Sequence, residues 1–434
     1  MLFGMFFGAG NLIFPVSMGQ QAGSQVWITT LGFLITGVGL PLLGVAALGI
    51  SQSNGLFDLS SKAGRPYGMF FTCALYLTIG PFFAIPRCAT TSYTVGLEQI
   101  LPEGHAKLFL LLFSAAFFAV TLFFSLRPGK ILTWIGKVLN PCFLLFLGIL
   151  LVVALVSPGA AISSVEPMGD YATQPFLKGF LEGYNTMDAL DGLAFGIIVV
   201  QVIQGLGVKE PKDVAGSTVR SGIFSCLLMG VIYLLVTVMG TWSRGALEAA
   251  PNGGTALAQI AQHYLGHAGL LVLAATVTLA CLKTAVGLIT SCAETFAGMF
   301  PRALPYRGWV LVFCGASFLF ANVGLTAIIT YAVPVLMFLY PLAITLILLA
   351  LLGRFFDHDR AIYCWVTGLT LAAALYDFLR TLPEGVRALL HADGLIAAVG
   401  NVLPFATIGL GWVAPAILGL VIGLIFRASR PKRA

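Results

Sequence analysis

The sequence predicts an all-α polytopic membrane protein of about twelve transmembrane helices, and three observations carry that prediction. Of the 434 residues, 59% are hydrophobic and only 9% charged, with a mean hydropathy of +0.97, where a soluble domain carries about 25% charged residues. The charges are also clustered. No Asp, Glu, Lys or Arg occurs from Met1 to Phe57, nor between Arg307 and Arg354, and because a spanning helix takes about 20 apolar residues each stretch holds two. Fifty glycines and 21 prolines interrupt the apolar runs, which lipid tolerates only where neighbouring helices or a cavity satisfy the freed backbone groups. This composition excludes a soluble enzyme, a nucleic-acid binder and a disordered scaffold. The net charge of +6 lies in short loops and implies no nucleic-acid partner. Breaks inside spans favour a transporter over a simple anchor.

The spans are expected near 1–21, 27–50, 69–97, 108–126, 131–156, 177–206, 217–240, 269–297, 308–322, 324–352, 361–377 and 404–427. The first begins at Met1 without a basic leader, so it is not a signal peptide, and the true start is expected upstream. Orientation follows from Lys and Arg in the loops. Alternate loops divide them unevenly: Lys107, Lys178, Arg244, Arg380 and Arg387 fall on one side, Arg87 and Lys283 lie inside spans, and the other sixteen fall on the opposite side. That bias places both termini in the cytoplasm and supports an even number of spans. The eight cysteines lie mostly in apolar runs with no CxxC pair, as small buried hydrophobes do.

Two spans carry breaks. The first contains Gly8-Ala9-Gly10-Asn11. Unwinding there frees backbone N–H groups at membrane depth, each costing several kcal/mol unless something binds it, and the following half-helix adds the positive end of its dipole. Together they suit a carboxylate, and the Asn11 side-chain oxygen suits a cation. The competing reading is a small-residue packing face through Gly4, Gly8 and Gly10. The sixth span contains Gly183-Tyr184-Asn185-Thr186-Met187-Asp188-Ala189-Leu190-Asp191-Gly192. Acids inside spans are costly and mark function; the alternative is that this stretch is external loop. Interrupted segments at corresponding positions of two halves point to an inverted-repeat transporter with its site near the midplane.

Two cations lie within spans. Arg87 follows Pro81 and Pro86 in the outer half of the third span, where Glu182 or Asp188 is the expected partner and snorkelling to the interface the alternative. Lys283 lies mid-span in the eighth, too deep to snorkel, and must find an anion or lose its proton. His263 and His267 lack a third ligand, so no metal site is expected. Residues 255–266 read as an amphipathic helix, an external lid over the entry path. No P-loop or HExxH is present.

Phe7 to Pro15 with Gly19-Gln20-Gln21-Ala22-Gly23, Gly80 to Arg87 with Ser92-Tyr93, Gly183 to Leu190, and Thr284 to Leu288 together resemble the bacterial branched-chain amino acid:cation symporters (LIVCS type), over essentially the whole chain. The resemblance implies import of leucine, isoleucine and valine with Na+ or H+, no other cofactor, and a LeuT-type 5+5 inverted repeat plus two C-terminal helices. The chain 1–434 is then one transporter domain: 1–156 the first repeat, 177–352 the second, 361–427 the extra helices. Carried over residue by residue, it puts the substrate carboxylate on Gly8, Ala9 and Gly10, with Asn11 beside a cation. On the sixth span it adds Thr186, Met187, Asp188 and Ala189. It puts a coupling cation at the carbonyls of Gly4 and Phe7 with Ala280, Lys283 and Thr284, and makes Arg87 and Glu182 gating residues. Sodium-coupled relatives of the wider fold have Thr-Ser where this chain has Lys283-Thr284, a departure bearing on the coupling ion. The partners implied are a small-molecule substrate, the cation and the lipid bilayer; oligomeric state is not readable. Two other functions compete: a same-fold transporter of another small amino acid or amine, and an intramembrane enzyme using Asp188 and Asp191, for which no nucleophile or metal is in sight.

Overall fold

The structure, a computed structural model, describes residues 7–51, 53, 55–101, 103–127, 130–195 and 211–429, so Gly4 lies outside the described residues. Among these, the regular structure is helical throughout. The principal helices are α1 Gly10–Ala22, α2 Val26–Leu34, α3 Leu40–Ile50, α4 Arg65–Leu77, α5 Ala84–Gly96, α6 Ala106–Leu126 and α7 Lys130–Val156. They continue as α8 Pro175–Glu182, α9 Pro211–Ser243, α10 Gly253–Met299, α11 Tyr306–Ala321, α12 Leu325–Leu352, α13 Arg360–Thr381 and α14 Val413–Ser429. Among the described residues, seven continuous helical stretches are long and apolar enough to cross a membrane, the first of them, Gly10–Ile50, covering two expected spans, and three shorter apolar helices add to these.

The interruptions fall where the glycines and prolines predict. Residues 7–9, just before Gly10, are not helical. Between α4 and α5 the backbone passes through a wide turn, Thr78–Phe82, with Gly80 non-helical, next to Pro81 and Pro86. The helix α10 bends at Gly266, whose φ of +65° separates the expected external helix from the eighth span. After the turn Gly183–Thr186, Met187 adopts φ +65° and helix resumes over 188–195. The last expected span differs: its helix begins at Val413, not 404. Phe405 and Gly409 are both left-handed, φ +62° and +76°, and they end any helix between them.

The chain forms two compact units. The first holds residues 1–35, 77–186 and 227–329, the second 36–76, 187–226 and 330–434. In the first, α10 packs along α5, α7, α11 and α1, and α8 lies on α2. Glycines allow the closest approaches: a Cβ at Gly19 would overlap the Thr237 carbonyl, one at Gly240 the Val16 carbonyl, and one at Gly253 the Ile13 carbonyl. The Thr241 hydroxyl ties α9 to α1 by donating to the Gly19 carbonyl at 2.7 Å. So α1 does use a small-residue packing face, but through Gly19, not through Gly8 and Gly10. In the second unit, Gly192 lies against Pro41 of α3, Tyr76 of α4 donates to the Ala194 carbonyl at 3.0 Å, and α13 and α14 run side by side.

Candidate functional site

The N-terminus of α1 is the centre of the site. Helix geometry starts at Gly10 after Ala9, with no acidic residue in its first turn. The Gly8 N–H donates to the Asn11 Oδ1 at 2.8 Å, while the amides of Ala9 and Gly10 have no hydrogen-bond partner among the described residues. These are the orphan donors that any helix start leaves, here buried: Ala9 is 5% exposed. Asn11 is pinned on its other side as well, its Nδ2 donating to the Tyr233 hydroxyl of α9. One lone pair of the Asn11 oxygen, expected to face a cation, thus holds the broken backbone.

Arg87 stands over this helix end. Its Nη1 donates to the Asn185 carbonyl at 2.6 Å and its Nη2 to the Thr186 carbonyl at 3.3 Å, while its guanidinium carbon lies 5.1 Å from the centroid of the Phe14 ring. Both carbonyls belong to the turn Gly183–Thr186, where a helical segment ends and its dipole is negative. Glu182, expected along with Asp188 as a partner of this cation, makes no ion pair with it among the described residues. The Glu182 carboxylate turns one helical turn back instead, pairing with Lys178 at 3.0 Å and accepting from Asn185 Nδ2 at 2.8 Å. Gly10 makes room for Arg87, since an added Cβ would sit 2.8 Å from Nη2 and 3.4 Å from the Thr186 carbonyl. Arg87 is 5% exposed, so it is a buried charge in the site and not a snorkelling one.

Thr284 is the residue of the expected coupling set that the structure brings to α1. A Cβ at Gly8 would lie 3.5 Å from its methyl and 3.7 Å from its hydroxyl oxygen. That hydroxyl donates to the Ala280 carbonyl at 3.1 Å. Phe7 is buried against Phe143, 5.6 Å between ring centroids. Lys283 is half-buried on the same helix; Glu294, further along that helix, is exposed and makes no ion pair among the described residues.

Met187, Asp188 and Ala189 belong to the second unit. Asp188, 1% exposed, occupies the first position of the helix over 188–195, and the Asp191 N–H bonds back to the Met187 carbonyl at 3.0 Å. This helix start carries its own carboxylate; the start of α1 does not. Sequence reasoning missed Tyr233 and Phe14. A polar side chain at membrane depth, Asn11, signals that a partner exists, but nothing local says which.

A family profile described as "Branched-chain amino acid transport protein" matches residues 1–430. The chain belongs to this family. Its relatives include a branched-chain amino acid permease BrnQ of Lactobacillus delbrueckii subsp. lactis, 51% identical, with 100% of this chain and 97% of that one aligned. A permease BrnQ of Bacillus subtilis is 39% identical over 100% of this chain and 96% of its own. Among solved structures the fold is similar to Mhp1, a nucleobase-cation-symport-1 family transporter, at a TM-score of 0.63 and 16% identity, covering 98% of this chain and 92% of that one. It is also similar to MhsT in complex with L-phenylalanine, at a TM-score of 0.54 and 14% identity, covering 98% and 96%. Family members are transport proteins and permeases, not enzymes, so the Asp188–Asp191 carboxylate pair has no catalytic role to fill.

Proposed function

We propose that the chain is a secondary symporter of the bacterial cytoplasmic membrane, importing leucine, isoleucine or valine with a monovalent cation, both termini in the cytoplasm. One observation carries the substrate side of this reading. The helix start at Gly10 has buried amides with no partner among the described residues, no acid of its own, and a guanidinium directly over it. Amides, dipole and guanidinium all favour an anion, and the α-carboxylate is the one anionic group common to the three substrates. The relatives' printed names, branched-chain amino acid permeases, support the choice of substrate. Thr186 and Asn185 then act through Arg87: their carbonyls orient the guanidinium. Met187, Asp188 and Ala189, of the second unit, remain the sixth-span residues assigned to the substrate in this reading. The cation is assigned to Phe7, Ala280, Lys283 and Thr284, close to Gly8, with Gly4 and the Asn11 oxygen completing the set; Arg87 and Glu182 serve the outer gate.

Radiolabelled leucine uptake into proteoliposomes tests the proposal. Uptake driven by an imposed Na+ or H+ gradient, and competed by isoleucine and valine, is the expected result. Uptake that reaches the same steady state with every gradient collapsed would refute symport. The three substrates are expected to compete within about two orders of magnitude, since one methylene in an apolar pocket is worth only about 1–3 kcal/mol.

A further inference from the structure

The second unit contains an apolar slot away from the site. Its walls are the face Thr345, Leu348, Leu349 and Leu352 of α12, Val366 of α13, and Val413, Ala416, Ile417 and Leu420 of α14, with Phe356 at one end and Trp412 at the other; its volume is about 300 Å³. The pairing of α13 with α14 fixes its depth. A Cβ at Gly419 would lie 2.7 Å from Trp365 and Val366 backbone atoms, and one at Gly423 2.7 Å from the Ile362 Cα. The two helices are therefore antiparallel, and Val413 is level with the middle of α13. At about 1.5 Å per residue, Trp412 stands about 20 Å from the level of Arg360. The slot thus runs from the end of the span past the midplane of a hydrocarbon layer about 30 Å thick. Its open side is formed by Leu348, Leu352 and Ile417, all exposed.

The end at Phe356 is cationic. Arg354 is exposed, two residues from Phe356, and neither it nor Lys62 makes an ion pair among the described residues. The acids nearby are committed: Asp357 pairs with Arg427 at 2.5 Å, and Asp359 accepts from the Ala361 N–H at 2.7 Å as the cap of α13; Asp58 is the acid nearest Lys62. Burial, then Lys62 and Arg354, hold the neighbouring His358 imidazole below its usual range, with Asp357 opposing. Two cations act on this imidazole against one acid, so the corner is net positive.

We propose that the slot is a binding site for one acyl chain of an anionic phospholipid, whose headgroup phosphate rests against Arg354 and Lys62. Length, apolar lining and an opening toward the bilayer select a lipid chain. The net positive charge at this end selects a negative headgroup over a zwitterionic one.

Native mass spectrometry of the detergent-purified full chain tests this, with phosphatidylglycerol and phosphatidylcholine of identical acyl chains. The wild type is expected to retain one phosphatidylglycerol about tenfold better than phosphatidylcholine, the scale of one charge-assisted contact. The double change Lys62→Gln and Arg354→Gln brings the two lipids to parity. Val413→Trp, which fills the slot, removes the bound lipid while the cations remain. Equal retention of the two lipids by the wild type, or unchanged retention in Val413→Trp, overturns the proposal. If Val413→Trp does not fold, quenching of Trp412 fluorescence decides, read as the difference from Trp412→Phe. Phosphatidylglycerol with brominated chains must quench it more than brominated phosphatidylcholine, and equal quenching overturns the site.

Discussion

Gly10 is confined by what lies over it. A Cβ would stand 2.8 Å from the Arg87 guanidinium, so Gly10→Leu is expected to displace Arg87 and abolish leucine uptake while leaving membrane insertion intact. Unchanged uptake kinetics with normal amounts in the membrane would contradict that. Arg87→Lys keeps the charge but loses the fork that reaches Asn185 and Thr186 together. The expected outcome is a KM for leucine raised about tenfold or more, the scale of one lost charge-assisted hydrogen bond; an unaltered KM would remove Arg87 from the substrate site. His358 gives a pH test on the second unit. Its imidazole is held below the usual 6.5, so the folded state takes up a proton less readily than the unfolded chain. Its contribution to stability is complete above about pH 6.5 and is lost as the pH falls below that. Melting curves of wild type and His358→Gln are expected to diverge between pH 7.5 and 5.5, the wild type falling more steeply; parallel curves would contradict the shift. At this scale Gly8-Ala9-Gly10-Asn11 was legible because polar and helix-breaking residues at membrane depth demand partners. The partners themselves were not: Asn11 and Tyr233 are 222 residues apart, and no local pattern encodes such a pairing. For Arg87 the sequence offers Glu182 or Asp188 as partner, because carboxylates are visible in a sequence and the carbonyls of a helix end, here those of Asn185 and Thr186, are not.

Among the elements, the glycines separate into two kinds that sequence alone cannot tell apart. Gly19 meets the Thr237 carbonyl of α9 and the Thr241 amide, with no side chain between them that could yield. Gly19→Val is expected to destabilise the protein by about 2–4 kcal/mol through overpacking, read as a lowered melting temperature and reduced yield in detergent. Gly287, on an exposed face of α10, has nothing within 4 Å of an added Cβ, so Gly287→Ala is expected to be neutral or to stabilise by up to about 1 kcal/mol. If the two variants lost the same stability, the close packing of α1 on α9 would not be what fixes that helix. Kinks were legible where proline and glycine coincide, as at Gly80-Pro81, and where one glycine must take positive φ, as at Gly266. The start of the last helix was not. Residues 404–412 are apolar enough to continue it, and Phe405 and Gly409 in left-handed conformations, the first of which composition does not announce, delay it to Val413.

Across the whole molecule the question is what drives accumulation. One monovalent cation crossing about 100 mV contributes roughly 2.3 kcal/mol, and a tenfold ion gradient adds about 1.4 kcal/mol, enough together for accumulation of several hundredfold. The chain places a lysine, Lys283, next to the one hydroxyl of that segment, Thr284, which lies close to Gly8 at the broken start of the first span. An ammonium there can stand where a bound sodium ion would otherwise join the first and eighth spans, and its loss and gain of a proton would make transport proton-driven. Lys283→Thr is then expected to weaken the dependence of uptake on a proton gradient and to let Na+ substitute through the newly introduced hydroxyl, the Thr284 hydroxyl and the Phe7 carbonyl. Flux measured at several pH values, with and without Na+, reads this directly. Wild-type uptake that requires Na+ and is indifferent to pH would assign Lys283 to packing and leave the cation to Thr284 and the backbone alone.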